Sequence, residues 1–540
     1  MMPRKTFFTV SFFLLLTFSA ISARSQKKKF PNIIVILADD MGYSDIGCFG
    51  GDARTPNLDE MAGKGLKMTH FYNASRCCPT RASLLTGLFQ HQAGVGDMMN
   101  TRPEPAYQGY LNRNCVTIAE ALKPAGYNTF MAGKWHVGQA PENWPLKRGF
   151  DRYYGLIDGA ASYFDLYPYR PGQKLTVALD DQPVTPGKGY YSTDAYTDYA
   201  MKFIQENEES RKPFFLYLAY QAPHWPLHAL PGDIARYRGK FMKGWDRLRE
   251  ERFARMQKSG IIKPGTTLSS RDPHVRDWNT LTEEEKEQWD ERMAVYAAMI
   301  DRMDQNIGRL RAKLRELGEE DNTVIMFLSD NGASSESIKG SGFLPGIIEA
   351  SKRPASDPSS FTAYGFEGAN VSNTPFRLFK HWEYEGGTAT PFIAYGPGLV
   401  KKGLVSEQPA HIIDLMSTCL DLAHTPYPAT SKGNKIKATE GLSLVPLFQG
   451  RKWKGHDALF FEHEGNRAVR QGRWKLVSQF PENKWYLYDI EADRSEKTDL
   501  SEKYPAKVME LAALYTSWAA RAEVIPFEQL VNRKSDKFEN

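Results

Sequence analysis

The sequence predicts an α/β fold with a largely parallel central sheet, and three observations carry that prediction. Two apolar runs, "NIIVILADD" from Asn32 and "TVIMFLSDNGA" from Thr323, each stop abruptly at paired polar side chains. Both runs are rich in Val and Ile and lack polar alternation, as strands buried on both faces do. Helical patterns lie between the apolar runs, and strands alternating with helices build parallel sheets.

Taken in order, "NIIVILADD" places a strand over 32–38. "TIAEALKPAG" from Thr117 and "STDAYTDYAMKFIQENEE" from Ser192 have helical periodicity, and "FFLYLAY", Phe214 to Tyr220, is a further buried strand. A long helix is expected from about Thr282 to Leu317, then the strand at Thr323, then another in "PFIAYG", Pro391 to Gly396. The Gly-, Ser- and Pro-rich segment 334–373 reads as a long functional loop or substrate-facing insertion. From about Asp457, the short pieces "ALFFEHEGNRAVRQGRWKLV" and "KWYLYDI", with a helix from Pro505 to Ala522, predict a small antiparallel sheet with one helix over it. The expected organisation is an export signal at 1–23, a main domain at 31–455 and a C-terminal subdomain at 456–540. In such folds ligands bind beyond the carboxyl ends of strands.

A chain of 540 residues with 41% hydrophobic content can bury a large core, and a net charge of +5 gives no nucleic-acid footprint. Arg4 and Lys5, an apolar run from Phe7 to Phe18 and the small residues of "SAISA" read as a secretory signal cleaved near Ala23. Export to the periplasm or the exterior is expected. The apolar run falls short of the ~20 residues of a spanning helix, so no membrane span is expected in the mature chain. Cys48, Cys77, Cys78, Cys115 and Cys419 make no disulfide scaffold and no CxxC zinc pair. Cys419, in "IIDLMSTCLDLA", reads as a core residue.

Asp39 and Asp40 end one strand; Asp330 and Asn331 end another. Two carboxylates about 4 Å apart repel by roughly 4 kcal/mol at an effective dielectric near 20, and a cation relieves this. An all-oxygen set suits Ca²⁺ or Mg²⁺ rather than zinc, although strand-end acids also serve as helix caps and turns. In "AGKWHVG", Lys134 and His136 sit two apart and on an extended segment point the same way, toward an anion or into solvent. His224 lies between prolines in "YQAPHWPLHA", placed to reach a cleft at the sheet edge, and spacing alone does not separate it from His228.

"CCPTR", Cys77 to Arg81, followed by "LLTG", resembles the C-x-P-x-R signature of the formylglycine-dependent sulfatases. "LADDMGYSDIGCFGG", "TPNLDEMAGKGLKMTHFYN", "AGKWHVG", "RGFDRYYG", "APHWPLHA", "LSDNGA" and "KHWEYEGG" resemble that family's motifs in its order. The resemblance runs from about Pro31 to near Asp489 and implies the alkaline phosphatase-like sandwich of helices on a mostly parallel sheet. It implies conversion of Cys77 to formylglycine (3-oxoalanine) by a separate maturation enzyme, with Cys78 at a variable position. A thiolate attacking sulfur would leave a stable S-sulfonate, whereas a hydrated aldehyde offers one hydroxyl to take the sulfuryl group and a second to expel sulfate.

Residue by residue, the resemblance implies Asp39, Asp40, Asp330 and Asn331, with the modified Cys77, as ligands of Ca²⁺ rather than Mg²⁺. It implies that Arg81 holds the hydrated aldehyde and that Lys134 and Lys380 bind sulfate oxygens. His224 would also meet the sulfate and protonate the leaving oxygen, and His136 would assist the second hydroxyl. The chain departs from the family pattern at Ala389, where an arginine often stands. The implied substrate is a sulfated glycan, with terminal sulfated galactose or N-acetylgalactosamine expected. The alternatives are an arylsulfatase or a sulfatase of choline sulfate or another small molecule, a phosphatase, phosphodiesterase or phosphonate hydrolase of the same fold, and an inactive secreted glycan-binding protein. The two-metal phosphatases should show additional His and Asp ligands and a Ser or Thr nucleophile, which this sequence lacks.

Overall fold

A computed structural model describes residues 30–532, so the expected signal at 1–23 lies outside the described residues. An eleven-stranded sheet forms the centre of the molecule. Its strands are β1 (Asn32–Ala38), β2 (Leu66–Tyr72), β3 (Asn128–Gly133), β4 (Arg152–Leu156), β5 (Val177–Leu179), β6 (Gln182–Val184), β7 (Phe214–Ala219), β8 (Thr323–Ser329), β9 (Ala389–Tyr395), β10 (Leu404–Ser406) and β11 (Ala410–His411). Their order is β10-β2-β9-β8-β1-β7-β3-β4-β5-β6, with β11 also on β2. The central run β8-β1-β7-β3-β4 is parallel, and β9 and β5 reverse direction toward the two edges.

Alternate residues of β1 enter opposite cores: Ile34 and Ile36 pack into one, Ile33, Val35 and Leu37 into the other, all at 0% exposure. At about 1.5–3 kcal/mol for each fully buried aliphatic side chain, two-sided burial explains why no polar residue interrupts the run. The long helix Glu283–Glu316 lies on the first face with Ser192–Asn207. Thr282 and Glu285 form its capping box, three glutamates occupy its first turn, and Lys313 and Arg315 close its last turn against the helix dipole. The helices Cys77–Thr86 and Asp414–Leu422 cover the second face. This is the expected layered α/β sandwich.

The strands Leu459–His463, Asn466–Gln471, Trp474–Ser478 and Trp485–Asp489 form a separate antiparallel sheet, and the helix Pro505–Ala522 packs on it through Leu511, Tyr515 and Trp518. The segment expected as a long functional loop or substrate-facing insertion contains the helices Pro345–Ala350 and Gly365–Ser372; their shortness hid their periodicity. Ala389 opens β9 opposite Tyr72, and the buried cations beside it come from the C-terminal segment: Lys475 and Arg494 both engage Glu385. Among the described residues, no helix is long and apolar enough to cross a membrane.

Candidate active site

The register of β1 and β8 places Ala38 opposite Ser329, so the two polar strand ends emerge side by side. Asp40 N–H donates to Asp330 Oδ1 at 3.1 Å, and Asn331 Nδ2 donates to Asp40 Oδ1 at 2.6 Å. Asp40 holds φ 63°, a left-handed conformation costly for a non-glycine residue, and Ser75, His136, Leu378 and His381 share that strain nearby. Asp39, Asp40, Asp330 and Asn331 are all buried.

Cys77 is the first residue of the helix Cys77–Thr86, where unpaired N–H groups and the helix dipole favour negative charge. The neighbouring Cys78 thiol, with Lys134, His136 and Lys380, holds the Cys77 thiol well below its ordinary pKa despite burial. Arg81 lies one turn on, on the same helix face, and is fully buried. Its guanidinium donates to Asp330 Oδ2 at 2.8 Å and to the Lys134 carbonyl at 3.1 Å, and lies 3.5 Å from Asp39 Oδ2.

Lys134 follows β3 and reaches Asp39 Oδ2 at 2.6 Å; Lys380 reaches Asp40 Oδ2 at 3.0 Å. Three carboxylates, Asp39, Asp40 and Asp330, are thus met by three cations, Arg81, Lys134 and Lys380. Burial still raises the pKa of Asp39 and pushes that of Asp330 well up, the latter reinforced by Asp39. Asp39 Oδ1 and Asn331 Oδ1 are buried without a hydrogen-bond partner. Orphaned hard oxygens of this kind fit a divalent, oxygen-preferring cation.

The strand β3 ends at Gly133, and His136 adopts φ 54°, so Lys134 and His136 converge through a turn rather than through extended geometry. The His136 ring lies against Gly159, where a Cβ would stand 2.5 Å from Nε2. Burial lowers the pKa of His136 to about 4. His224 behaves alike, lowered to about 4 by burial. Its Nδ1–H donates to the Trp225 carbonyl at 2.6 Å, which turns Nε2 toward Lys380 Nζ and Asp40 Oδ2, each 3.5 Å away. His228 is excluded from the cleft: Nε2 donates to the Ser360 carbonyl at 2.8 Å and Nδ1 accepts from Tyr163 N–H at 3.3 Å.

All ten residues singled out in the sequence gather at this strand end. Cys77, His136, His224 and Lys380 line a cleft of about 180 Å³ with Arg76, Asp158, Arg170, Trp225 and Glu336, none of which the sequence marked as functional. Glu336 bridges Arg76 at 3.0 Å and Lys380 at 3.2 Å and accepts from Trp225 Nε1 at 2.7 Å. A cleft of about 420 Å³ adjoins this one through Met99 and Gln139 and holds none of the ten.

Residues 31–425 match the Sulfatase family model, and residues 376–514 match the C-terminal part of N-sulphoglucosamine sulphohydrolase. The chain is 33% identical over 545 residues to an uncharacterized sulfatase of Schizosaccharomyces pombe, covering 94% of this chain and 96% of that one. It is 36% identical to an arylsulfatase of Klebsiella aerogenes, covering 74% and 88%, and 30% identical to N-acetylgalactosamine-6-sulfatase of Rattus norvegicus, covering 84% and 72%. The crystal structure of Ps i-CgsB in complex with k-i-k-neocarrahexaose matches with a TM-score of 0.67 at 27% identity, covering 91% and 93%. With the sheet order, the strand-end carboxylates and these matches in agreement, the chain belongs to the sulfatase family and is a sulfuric ester hydrolase.

Proposed function

We propose that this enzyme releases sulfate from sulfated carbohydrates, using a formylglycine formed from Cys77 and a Ca²⁺ held by Asp39, Asp40, Asp330 and Asn331. The observation that carries the reading is the convergence of a helix-N-terminal Cys77 with Lys134, Lys380, His136 and the paired strand ends, where a carboxylate oxygen of Asp39 and the amide oxygen of Asn331 lack partners. Ca²⁺, when bound, supplies a Lewis acid and a template for sulfate oxygens. The hydrated aldehyde supplies two hydroxyls on one carbon, one to accept the sulfuryl group and one to release it.

The remaining roles belong to this chain's own side chains. Arg81, locked by Asp330 and the Lys134 carbonyl, orients the residue at position 77 from one turn along its helix. Lys134 and Lys380 draw the sulfate oxygens in and offset charge as the group transfers. His224 commits Nδ1–H to Trp225, which leaves Nε2 for the leaving oxygen; burial holds this ring neutral, so Nε2 takes up a proton when the anionic sulfate binds beside it and then gives that proton to the leaving oxygen. His136, neutral at physiological pH because it is buried, accepts the proton of the second hydroxyl.

The carbohydrate assignment draws on likeness to N-acetylgalactosamine-6-sulfatase and to a structure bound to a neocarrahexaose. Terminal sulfated galactose or N-acetylgalactosamine is the proposed sugar, in a protein exported through its N-terminal signal and matured by a formylglycine-generating enzyme. The test is sulfate release, read by ion chromatography, from nitrophenyl sulfate and a panel of sulfated galactose and N-acetylgalactosamine, beside turnover of nitrophenyl phosphate. Ca²⁺-dependent release with sulfate preferred supports the reading; preference for phosphate, or release unchanged after Ca²⁺ removal, contradicts it.

A further inference from the structure

Three basic side chains other than histidine line the 180 Å³ cleft: Arg76, Lys380 and Arg170. Arg76 is paired with Glu336, and Lys380 with Asp40 and Glu336. Asp158, the other carboxylate lining the cleft, is engaged by Gln139 Nε2 at 3.1 Å and Thr176 N–H at 2.8 Å. Arg170 therefore stands without a carboxylate partner among the described residues, and its Nε is buried with no hydrogen bond.

The position of Arg170 is nonetheless fixed. The Gln173 side-chain oxygen accepts from the N–H groups of both Tyr169 and Arg170, at 3.0 and 3.2 Å, and Leu344 N–H donates to the Tyr169 carbonyl at 3.0 Å. The guanidinium lies 5.4 Å from the Phe343 ring centre and 5.7 Å from that of Tyr169. Tyr169 in turn meets Trp225 edge-on at 5.4 Å, so the aromatic wall that carries Arg170 continues to the residue following His224. An unpaired guanidinium held against rings presents its donor edge for bidentate recognition of an oxyanion.

We infer that Arg170 forms a second anion subsite of this cleft, selecting sulfated saccharides that carry another sulfate or a carboxylate beside the scissile ester. The inference rests on the cleft being the sulfate ester site. Glu336 pairs with Arg76, and Lys380, held by Asp40 and Glu336, serves the scissile sulfate, which leaves Arg170 as the cation free to discriminate a dianionic sugar from a monoanionic one.

The experiment is calorimetric binding to the Ca²⁺-loaded Cys77→Ala protein, which has no nucleophile at position 77 and leaves ligands unconsumed. One arm compares N-acetylgalactosamine 4,6-disulfate with the 6-sulfate. The other compares a uronate-linked N-acetylgalactosamine 6-sulfate disaccharide with its uronate methyl ester. At least one dianion is expected to bind roughly tenfold tighter than its control, about 1.4 kcal/mol, and the arm that does so identifies the second group. Adding Arg170→Met should bring that ratio close to one, and Arg170→Lys should keep part of it. Equal binding in both arms, or a ratio that survives Arg170→Met, overturns the subsite. Failure of the wild-type protein to release sulfate from nitrophenyl sulfate would instead count against the reaction itself.

Discussion

Arg81 donates to Asp330 at 2.8 Å from within the helix that begins at Cys77, tying the nucleophile's helix to the end of β8. Both side chains are fully buried, and Asp39 lies 3.5 Å from the same guanidinium. Removing a partner from such a pair leaves an uncompensated buried charge, which typically costs about 3–5 kcal/mol. Arg81→Met is therefore expected to lower stability by that order in the metal-free protein. Ca²⁺ should restore part of the loss by neutralising Asp39 and Asp330. Urea unfolding with and without Ca²⁺ reads both, and a variant as stable as wild type without metal would refute the coupling.

Gly159 permits the His136 ring to lie against the backbone, since a Cβ there would stand 2.5 Å from Nε2. Gly159→Ala should displace the imidazole and reduce kcat by about ten- to hundredfold, the usual cost of a small misplacement at reacting groups. The thermal midpoint should move far less than it does in Arg81→Met. Undiminished kcat on nitrophenyl sulfate would show that His136 has no part in turnover.

His224 offers Nε2 to the cleft. His224→Ala should reduce turnover of sugar sulfates by about 10²–10⁴-fold, with a smaller loss on nitrophenyl sulfate, whose leaving group needs little protonation. Paired kcat measurements decide, and equal losses on both substrates would place the proton donor elsewhere.

The C-terminal sheet is joined to the main sheet through Lys475, fully buried, which lies 3.0 Å from both Glu385 and Glu496. Burial opposes ionisation of Glu385, yet Lys475 and Arg494 hold its pKa at about 2; burial instead raises Glu496 to about 7. The signs differ accordingly. Glu385 contributes stability that is present above the ordinary glutamate pKa and is lost as pH falls toward 2. Glu496 contributes stability that is present below the ordinary pKa and is lost as pH rises through 7. Glu496→Gln, which mimics the protonated form, should thus gain on wild type between about pH 5 and about pH 9, whereas Glu385→Gln should be the less stable protein at both. Denaturant unfolding at the two pH values checks this, and a Glu496→Gln difference that does not change with pH would contradict it.

The legible parts of the fold were those whose side chains share one environment. The strands β1, β7 and β8 are buried on both faces and read directly as apolar runs, and the acids that end β1 and β8 mark the active edge. The strand β2, "LKMTHFY", carries Lys67, Thr69 and His70 and pairs antiparallel with β9 at a register shift, so neither apolarity nor alternation announces it. Cys77 and Arg81 were legible through the likeness of "CCPTR" to a family signature, and the structure adds the helix that sets them one turn apart on one face. Glu336 and Arg170 were not, because each reaches the cleft from an irregular segment, and only tertiary contacts with Lys380, Trp225 or Phe343 give its position meaning. The choice between His224 and His228 likewise depends on the Ser360 carbonyl, more than a hundred residues away along the chain.

The central claim concerns the chemical state of position 77. Mass spectrometry of the peptide containing Cys77, taken from protein co-expressed with a formylglycine-generating enzyme and active on nitrophenyl sulfate, tests it most directly. The account predicts an aldehyde in place of the thiol, in proportion to the measured turnover. An unmodified thiol throughout fully active protein would contradict it.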